Sequence, residues 1–371
     1  MSDQNLLYWA GITLVKGIGN ITARQIIETL GDISLLFTEK KYKLERISGL
    51  SRRMIEDIHN PEVLKIAEKE ICYLEKINAR LLHFTSPDFP HRLKDCVDAP
   101  PVLYFKGNTD FNTSKAIGVV GTRNATTYGK ELVAQLLNDV KEKFPDSLIV
   151  SGLAYGIDIA AHKESLNKQL ATVGVLAHGL DRIYPYVHRK IAEEMQENGG
   201  LLTEFMSETN PDKPNFVKRN RIVAGISDCT IVVESAAKGG ALITANIADS
   251  YHRDVFSFPG KTTDKYSAGC NQLIKSKKAA LITSAEDLFQ EMNWIDSSSK
   301  KHEPVQQLIF PDLSVEEQAV MDILSEKENM QLNQLSLRLN LPVGQLSVIL
   351  FELEMNGLVR CKPGGMYAVN Y

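Results

Sequence analysis

The sequence predicts an α/β protein whose centre is a doubly wound parallel sheet. Three short apolar runs rich in β-branched residues, at 116–120, 148–150 and 229–234, each end in a turn and precede a helical pattern. Strands and helices alternate as far as Leu288, which places helices on both faces of a Rossmann-like sheet. Ligands of such sheets bind outside the carboxyl ends of the strands, where helix N-termini present N–H groups to anions.

Length and composition limit the class of protein. A chain of 371 residues exceeds what one core usually holds, so two or three domains are expected. Hydrophobic residues make up 43% of the chain without any run long enough to span a membrane, and the N-terminus lacks the pattern of a signal peptide. We therefore expect a soluble, cytoplasmic protein that makes no membrane contact.

Cysteine usage and charge narrow the chemistry further. The five cysteines are scattered without paired spacing, which is typical of a reduced compartment and predicts neither a disulfide nor a metal site. The formal net charge of −4 means that any contact with nucleic acid must come from a local basic patch.

The N-terminal domain, residues 1–84, is predicted to be helical. Two glycine hairpins, at 14–27 and 47–58, each precede an amphipathic helix and resemble the helix-hairpin-helix module, whose hairpin amides hold a DNA phosphate. The second hairpin departs from that pattern, because Leu50 and Ser51 stand where another glycine is expected. The other interpretation is a helical bundle whose glycine turns bind nothing.

The central domain is predicted to span residues 85–293. Prolines and weak periodicity in 85–111 indicate a connector, with one edge strand at 102–105. Candidate anion ligands follow three of the later strands: Gly121, Thr122 and Arg123 after the first, Ser151 and Gly152 after the second, and Gly239 and Gly240 after the third. Backbone amides and an arginine at neighbouring turns predict a site for phosphates.

A predicted helix at 215–226 supplies a group of cations. Its candidate binding residues are Phe216, Lys218, Arg219, Asn220 and Arg221. Arg219 shares the apolar face of this helix, and a guanidinium is costly to bury without a partner. Either it pairs with an acid at a strand end, such as Glu204 or Glu234, or the basic residues of the helix join Arg123 around one anion site.

The sequence carries no recognisable catalytic or metal-binding set. Dinucleotide fingerprint glycines, a nucleoside-triphosphate loop, a nucleophile elbow and a metal-ligand cluster are all missing from it. Asp158 and His162 are four residues apart, which predicts a hydrogen bond along a helix rather than a catalytic pair. Phe216 can stack on a base, although such an aromatic residue usually belongs to the core. The pattern favours binding over turnover, without a cofactor.

Beyond these local patterns, the central stretch resembles the DNA-processing protein A family (DprA, also called Smf). The matching segments follow the family's order: Val120–Arg123 with Tyr128–Gly129, Ser151–Ala154 with Gly156–Asp158 and Ala161–His162, Tyr184–Pro185, Arg219–Gly225, Leu242–Ala245, Phe258–Gly260 and Gly269–Ile274. The resemblance implies a protein that binds and protects single-stranded DNA, dimerises through the Rossmann-like domain, and loads the RecA recombinase onto incoming DNA during natural transformation.

The resemblance also assigns roles to individual residues. Arg123 matches the family's DNA-contacting arginine, and the basic residues of 218–221 match its second positive site. This chain departs from the family where Gly239, Gly240 and Ala241 replace the usual Ser-Gly-Ser, so two hydroxyls that could hold phosphate are missing.

Two other classes of protein stay open. A phosphoribohydrolase shares a Rossmann-like sheet and a double-glycine turn, which Lys238–Gly240 loosely resembles, but its catalytic Arg and Glu pattern is missing from this sequence. A pure adaptor would use protein contacts alone. Release of free base from nucleoside monophosphates separates the enzyme from the binding protein.

The C-terminal fifth of the chain begins with a predicted polar linker at 294–310. Three helical patterns and a hairpin turning at Pro363–Gly365 predict a winged helix over 311–371. Its third helix, 343–356, contains no Lys or Arg, and the domain carries four basic residues against eight acidic ones. Because phosphate neutralisation supplies most non-specific DNA affinity, this winged helix is predicted to contact protein instead.

Overall fold

The computed structural model describes residues 3–295, 313–326, 330–362 and 366–369. The chain forms two compact units, Met1–Asp296 and Ser297–Tyr371. Except for Trp294 and Ile295, the predicted linker lies outside the described residues, as does the predicted hairpin turn at 363–365. No helix among the described residues is both long and apolar enough to cross a membrane.

The first unit alternates helices with short strands. Its helices are α1 Asp3–Ile12, α2 Asn20–Leu30, α3 Ser34–Thr38, α4 Lys41–Leu44, α5 Arg52–Ile58, α6 Pro61–Lys76, α7 His91–Lys94, α8 Thr127–Lys143, α9 Ile157–Asn167, α10 Arg189–Glu194, α11 Lys213–Ile226, α12 Gly240–Ser250, α13 Ala268–Lys275 and α14 Ala285–Glu291. Its strands are β1 Arg80–His83, β2 Val102–Asn108, β3 Ala116–Val120, β4 Leu148–Ser151, β5 Ala171–Val175, β6 Gly199–Thr203, β7 Cys229–Val232, β8 Asp254–Ser257 and β9 Ala280–Leu281.

These nine strands form one sheet in the order β1-β2-β6-β5-β4-β3-β7-β8-β9. All strands from β6 to β9 in that order are parallel, whereas β2 is antiparallel to β6 and β1 is antiparallel to β2. The chain starts the parallel part at β3, adds strands on one side as far as β6, and then returns to the other side with β7. The direction of winding therefore reverses between β3 and β7, and the predicted doubly wound sheet is confirmed.

Apolar side chains on both faces of the sheet form separate cores. On one face, Val119 and Ile149 pack with Val133 of α8 and Leu288 of α14. The other face packs against α11 and α12. Burial on both faces explains why the strands read as continuous apolar runs rather than as alternating patterns.

The N-terminal helices share a core with this second face of the sheet. The ring of Trp9 in α1 stacks on the imidazole of His83 in β1, with 4.7 Å between ring centroids. Residues 80–83 form a strand that pairs with β2, so the expectation of helix as far as residue 84 is wrong for this segment. Leu81 and Leu82 are buried there, so pairing along β2 satisfies the backbone while both side chains enter the core.

The second unit has the helix and strand order of a winged helix. Its elements are α15 Val315–Glu326, β10 Met330–Gln331, α16 Leu332–Leu339, α17 Val343–Met355, β11 Val359–Lys362 and β12 Met366–Val369. The three strands pair antiparallel in the order β10-β12-β11. Leu335, Leu346, Leu350 and Leu353 are buried between the helices, which confirms the predicted fold of this segment.

Candidate functional site

A crevice of about 490 Å³ opens outside the carboxyl ends of β3 and β7, where the winding of the sheet reverses. The turns after β3, β4 and β7 border it, together with one side of α11 and the first turn of α12. Open α/β sheets bind their ligands at this place, because the neighbouring loops diverge from each other there. The crevice is therefore the candidate site that the sequence predicted.

The turn after β3 brings Arg123 to the mouth of the crevice. Gly121 has no room for a Cβ, which would clash with Ile157 of α9. The Thr122 N–H donates to the Glu234 carbonyl at 2.7 Å, and the Thr122 carbonyl accepts from the Ile157 N–H at 3.1 Å. This turn is therefore locked to its neighbours, and the Thr122 amide is engaged within the protein.

Arg123 is exposed and lies against an aromatic ring. Its guanidinium carbon is 5.4 Å from the ring centroid of Phe216, which is half-buried on α11. The edge of that ring meets Tyr184, with 5.9 Å between centroids, and 45% of the Tyr184 surface is exposed. Cation and rings together form a surface on which a phosphate and a base could both be held.

Arg219 forms the floor of the crevice. It is 4% exposed, and its Nη1 donates to the carbonyls of Gly152 and Val175. Pairing with Glu204 or Glu234, one of the two alternatives that the sequence left open, is wrong, because backbone carbonyls at the ends of β4 and β5 accept its protons instead. Burial lowers the pKa of Arg219, and the carboxylate of Asp158 opposes that shift.

Asp158 is the carboxylate partner of this buried charge. Burial raises its pKa, while Arg219 and the N–H of Ala154, which donates to Oδ2 at 3.3 Å, act in the opposite direction. The predicted hydrogen bond from Asp158 to His162 is wrong. Nδ1 of His162 lies 2.7 Å from the hydroxyl of Thr172, because His162 points into the core between α9 and β5.

The remaining cations of α11 lie elsewhere. The Arg221 guanidinium is buried and pairs with Glu204, and it also donates to the Asp98 carbonyl at 2.7 Å. Arg221 and Lys218 border a separate depression beside the first N-terminal hairpin, near Gly19. The structure thus brings Arg123 and Arg219 together in the crevice and leaves Lys218 and Arg221 outside it.

The turns after β4 and β7 contribute backbone groups rather than hydroxyl groups to the crevice. Ser151 is fully buried and donates to the Val119 carbonyl at 2.6 Å, so its hydroxyl does not face the crevice. Gly239 and Gly240 do line the crevice at the start of α12, whose first turn has no side-chain cap. Asn220 fixes this turn, because its Nδ2 donates to the Gly240 carbonyl at 3.3 Å. The first N–H groups of a helix have no partner within it, so this turn can present donors to an anion.

Two lysines at the crevice were missed by the sequence analysis. Lys238 precedes the double glycine, and Lys265 comes from the loop after β8. The Ser235 N–H donates to the Tyr266 carbonyl at 2.6 Å, which holds that loop beside the crevice. The position of Lys238 directly before Gly239 could have identified it from the sequence as a crevice residue. Lys265 and its neighbour Tyr266 are remote in sequence from the other residues that line the crevice. Both are exposed, and neither they nor Arg123 take part in an ion pair within the described residues.

These features define an α/β protein with a cation-lined crevice at its topological switch point, in a chain that also carries a winged helix. Residues 80–293 match the family model of the DNA recombination-mediator protein A, and residues 309–365 match the DprA winged helix domain. The chain belongs to this DNA recombination-mediator family, so the resemblance seen in the sequence is confirmed.

Individual relatives agree with the family assignment. The chain is 33% identical over 304 residues to Protein Smf of Synechocystis sp., covering 80% of this chain and 74% of that protein. It is 42% identical over 209 residues to the DNA processing protein DprA of Bacillus subtilis, covering 56% and 69% respectively.

Two solved structures have the same fold. The X-ray structure of DprA from Streptococcus pneumoniae superposes with a TM-score of 0.61 at 30% identity, covering 78% of this chain and 99% of that chain. A structure of DprA from Helicobacter pylori, described with a unique single-stranded DNA binding mode, gives 0.52 at 28% identity, covering 58% and 96%.

Proposed function

We propose that this protein binds single-stranded DNA in the crevice and acts as a recombination mediator that protects incoming DNA and loads RecA onto it during natural transformation. The observation that carries the proposal is the contact between Arg123 and Phe216 at the crevice mouth. An exposed guanidinium beside a half-buried ring offers one partner for a phosphate and another for a base, which is what sequence-independent binding of single strands needs.

Charge inside the crevice supports the same ligand. Arg219 supplies a buried positive charge at the floor, and Lys238 and Lys265 add exposed charges at the rim. Asp158 is the one carboxylate among the described residues that line the crevice, and it is buried opposite Arg219. A local excess of cations attracts a polyanion even though the whole chain is acidic.

Nine of the predicted candidate contacts divide into three groups. Arg123, Phe216, Gly239 and Gly240 are proposed to touch the DNA directly. Ser151, Arg219 and Asn220 are proposed to shape the site from below, because their polar atoms already bond to the protein. Lys218 and Arg221 are left as a separate proposal, since they border another depression.

Binding without turnover is part of the proposal. The described residues lining the crevice include no His and no Cys, and Asp158 is buried and interacts electrostatically with Arg219. Incubation with nucleoside monophosphates should release no free base. Appearance of base would assign the crevice to a phosphoribohydrolase instead.

Titration of labelled oligo-dT at two salt concentrations tests DNA binding directly. We expect affinity without sequence preference, since phosphates and stacked bases carry the contact, and a fall in affinity as salt rises. If the protein binds labelled oligo-dT at neither salt concentration, the proposal is wrong.

Mediator activity needs its own measurement. RecA filament formation on single strands already covered by a single-strand-binding protein should accelerate when this protein is added. A homodimer formed through the Rossmann-like domain is proposed as the active assembly in the cytoplasm, and light scattering of the full-length chain measures that state. Unchanged filament kinetics would confine the protein to DNA binding.

A further inference from the structure

A second groove, of about 360 Å³, adjoins the crevice on the same edge of the sheet. It lies between the first turns of α8 and α9, and its borders include Arg123, Asn124, Lys130, Tyr155, Lys163 and Glu164. Arg123 and Asn124 also line the crevice, so the two depressions meet at this turn. A ligand that leaves the crevice over Arg123 would enter the groove directly.

The turns that border the groove are held together by backbone contacts. Gly156 has a φ of 79° and lies so close to Thr122 and Arg123 that a Cβ would clash with their backbone atoms. The Ile157 N–H donates to the Thr122 carbonyl at 3.1 Å from the next position. The spacing between Arg123 and the start of α9 is therefore fixed by the fold.

Positive charge dominates the groove. Lys130 projects from the first turn of α8 and Lys163 from the second turn of α9, and both are exposed. Neither takes part in an ion pair within the part of the chain that the structure describes. Glu164 is the one acid at the border, and its Oε1 accepts from Nδ2 of Asn167 at 3.4 Å. With Arg123, three cations face one carboxylate.

Tyr155 supplies an aromatic surface in the same groove. Its side chain is 48% exposed, and the ring edge packs on His188 with 5.0 Å between centroids. The imidazole of His188 is itself buried and lies 2.9 Å from the Leu153 carbonyl through Nδ1. The buried support orients the ring, so stacking of a ligand on it would cost little side-chain entropy.

We propose that the groove is a second subsite for single-stranded polynucleotide, in which Lys130 and Lys163 hold phosphates and Tyr155 stacks on a base. A strand seated in the crevice passes over Arg123 and continues between α8 and α9. This inference rests on the proposed function of the crevice, and it extends the contacted strand beyond what the crevice holds.

Oligonucleotide length separates the two subsites. The test uses the full-length chain with a short oligo-dT of about four nucleotides and a long one of about 20, which bracket the roughly 4–16 nucleotides that one OB-fold contacts on single strands. The Lys130→Gln, Lys163→Gln double variant should bind the short oligonucleotide with unchanged affinity. It should bind the long one about tenfold more weakly, with the slope of log affinity against log salt reduced by about 1.4, or 0.7 per lost phosphate contact.

A charge-matched control uses Lys143 at the far end of α8 and Lys275 in the last turn of α13, both exposed. The Lys143→Gln, Lys275→Gln variant loses the same net charge and should bind both oligonucleotides normally. Equal losses in the control and in the groove variant would show a general charge effect and overturn the subsite.

Tyr155 gives an independent test of the base contact. Tyr155→Leu should weaken binding of the long oligonucleotide about tenfold without changing the salt slope, because stacking involves no charge. Tyr155→Trp should restore the affinity. The parent and both Tyr155 variants should bind an abasic strand of the same length with equal affinity, because that strand has no base to stack on the ring. The proposal is overturned if the Lys130→Gln, Lys163→Gln variant and the Tyr155→Leu variant both bind the long oligonucleotide with full affinity. If the parent protein binds neither oligonucleotide, the proposed function of the crevice is overturned instead.

Discussion

The guanidinium of Arg219 occupies the space that a side chain at Gly152 would need. Nη1 of Arg219 donates to the Gly152 carbonyl, and a Cβ added to Gly152 would lie 2.5 Å from the guanidinium carbon. Helix α11 thus reaches the end of β4 through an arginine whose guanidinium, in this position, leaves no room for a side chain at residue 152. The floor of the crevice depends on this pair.

Gly152→Ala should therefore destabilise the first unit strongly. The added methyl group displaces the guanidinium from the carbonyls of Gly152 and Val175 and leaves a buried charge without acceptors. Loss of the partners of a buried charge costs about 3–5 kcal/mol. Urea unfolding followed by circular dichroism measures the change.

Gly240→Ala provides the control for this substitution, because the atom nearest to a Cβ there is 3.8 Å away and no positive φ is involved. The control should unfold like the parent. A Gly152→Ala protein as stable as the parent would mean that Arg219 is not held as described.

The sequence predicted the sheet and the approximate place of Arg219, but not its partners. Apolar runs followed by turns have a clear pattern, and the helical spacing of Ile222, Val223 and Ile226 put Arg219 on the buried face. Its acceptors are backbone carbonyls, and carbonyls are present at every residue, so no sequence pattern marks them. The alternatives considered were an acidic side chain and a bound anion, because a sequence does not show which backbone carbonyls a side chain will meet.

Ser151 and Lys265 show the same limit of prediction from sequence: Ser151 was a candidate whose hydroxyl is buried, and Lys265 lines the crevice without being a candidate. Ser151 comes directly after an apolar run in the sequence, as a phosphate ligand would, yet it is the last residue of β4 and its hydroxyl donates to the Val119 carbonyl. Lys265 has no motif around it, yet a hydrogen bond between Ser235 and Tyr266 carries its loop to the crevice. Both outcomes depend on strand neighbours that the sequence does not specify.

Arg123→Ala should weaken oligo-dT binding and reduce the salt slope by about 0.7, the amount for one phosphate contact on single strands. Arg123→Lys should restore the slope but not the full affinity, because an ammonium lacks the planar group that lies over Phe216. Fluorescence anisotropy at several salt concentrations gives both quantities. A normal slope in Arg123→Ala would remove this residue from the DNA contact.

Adding Lys218→Ala to Arg123→Ala tests the separate depression that Lys218 and Arg221 border beside the first N-terminal hairpin. If the strand also reaches Lys218, the slope should fall by about 1.4 in the double variant, with a strong loss of affinity. The depression lies apart from the crevice, so the two substitutions should be additive. A double variant identical to Arg123→Ala would confine the DNA to the crevice side.

His162 should make the first unit sensitive to acid. Thr172 donates its hydroxyl proton to the Ile149 carbonyl at 3.1 Å and so accepts from Nδ1 of His162, which leaves the buried Nε2 unprotonated and without a partner among the described residues. Burial lowers the pKa of His162 to about 3. The folded value lies below the unfolded value of 6.5, so the unfolded chain binds the proton first as pH falls.

The contribution of His162 to stability is therefore complete above pH 6.5 and is lost toward pH 3, by about 1.4 kcal/mol per unit. His162→Asn keeps a donor near Nδ1 but cannot titrate. The difference in unfolding free energy between parent and variant should narrow by about 2 kcal/mol from pH 6.5 to pH 5. Parallel profiles would show that His162 already binds a proton in the folded state.

Gly239→Ser should strengthen DNA binding. A Cβ at Gly239 meets only the Ser235 hydroxyl, at 3.6 Å, and its φ of 177° suits any residue. The added hydroxyl stands at the start of α12, beside the uncapped amides that line the crevice. We expect oligo-dT affinity to rise about two- to fivefold, in line with one additional hydrogen bond. Weaker binding with unchanged unfolding would show that the DNA approaches this turn too closely for any side chain.

Removal of the winged helix should leave DNA binding by the first unit largely intact. Helix α17, which would read DNA in a winged helix, contains Glu352 and Glu354 and no cation, and it exposes Phe351 and Met355. A surface of acids and apolar groups repels phosphates and suits protein contact. A chain ending at residue 310 should therefore bind oligo-dT within about twofold of the parent and with the same salt slope. An affinity collapse in this truncated chain, with its unfolding transition unchanged, would place DNA contacts on the winged helix and contradict the charge argument.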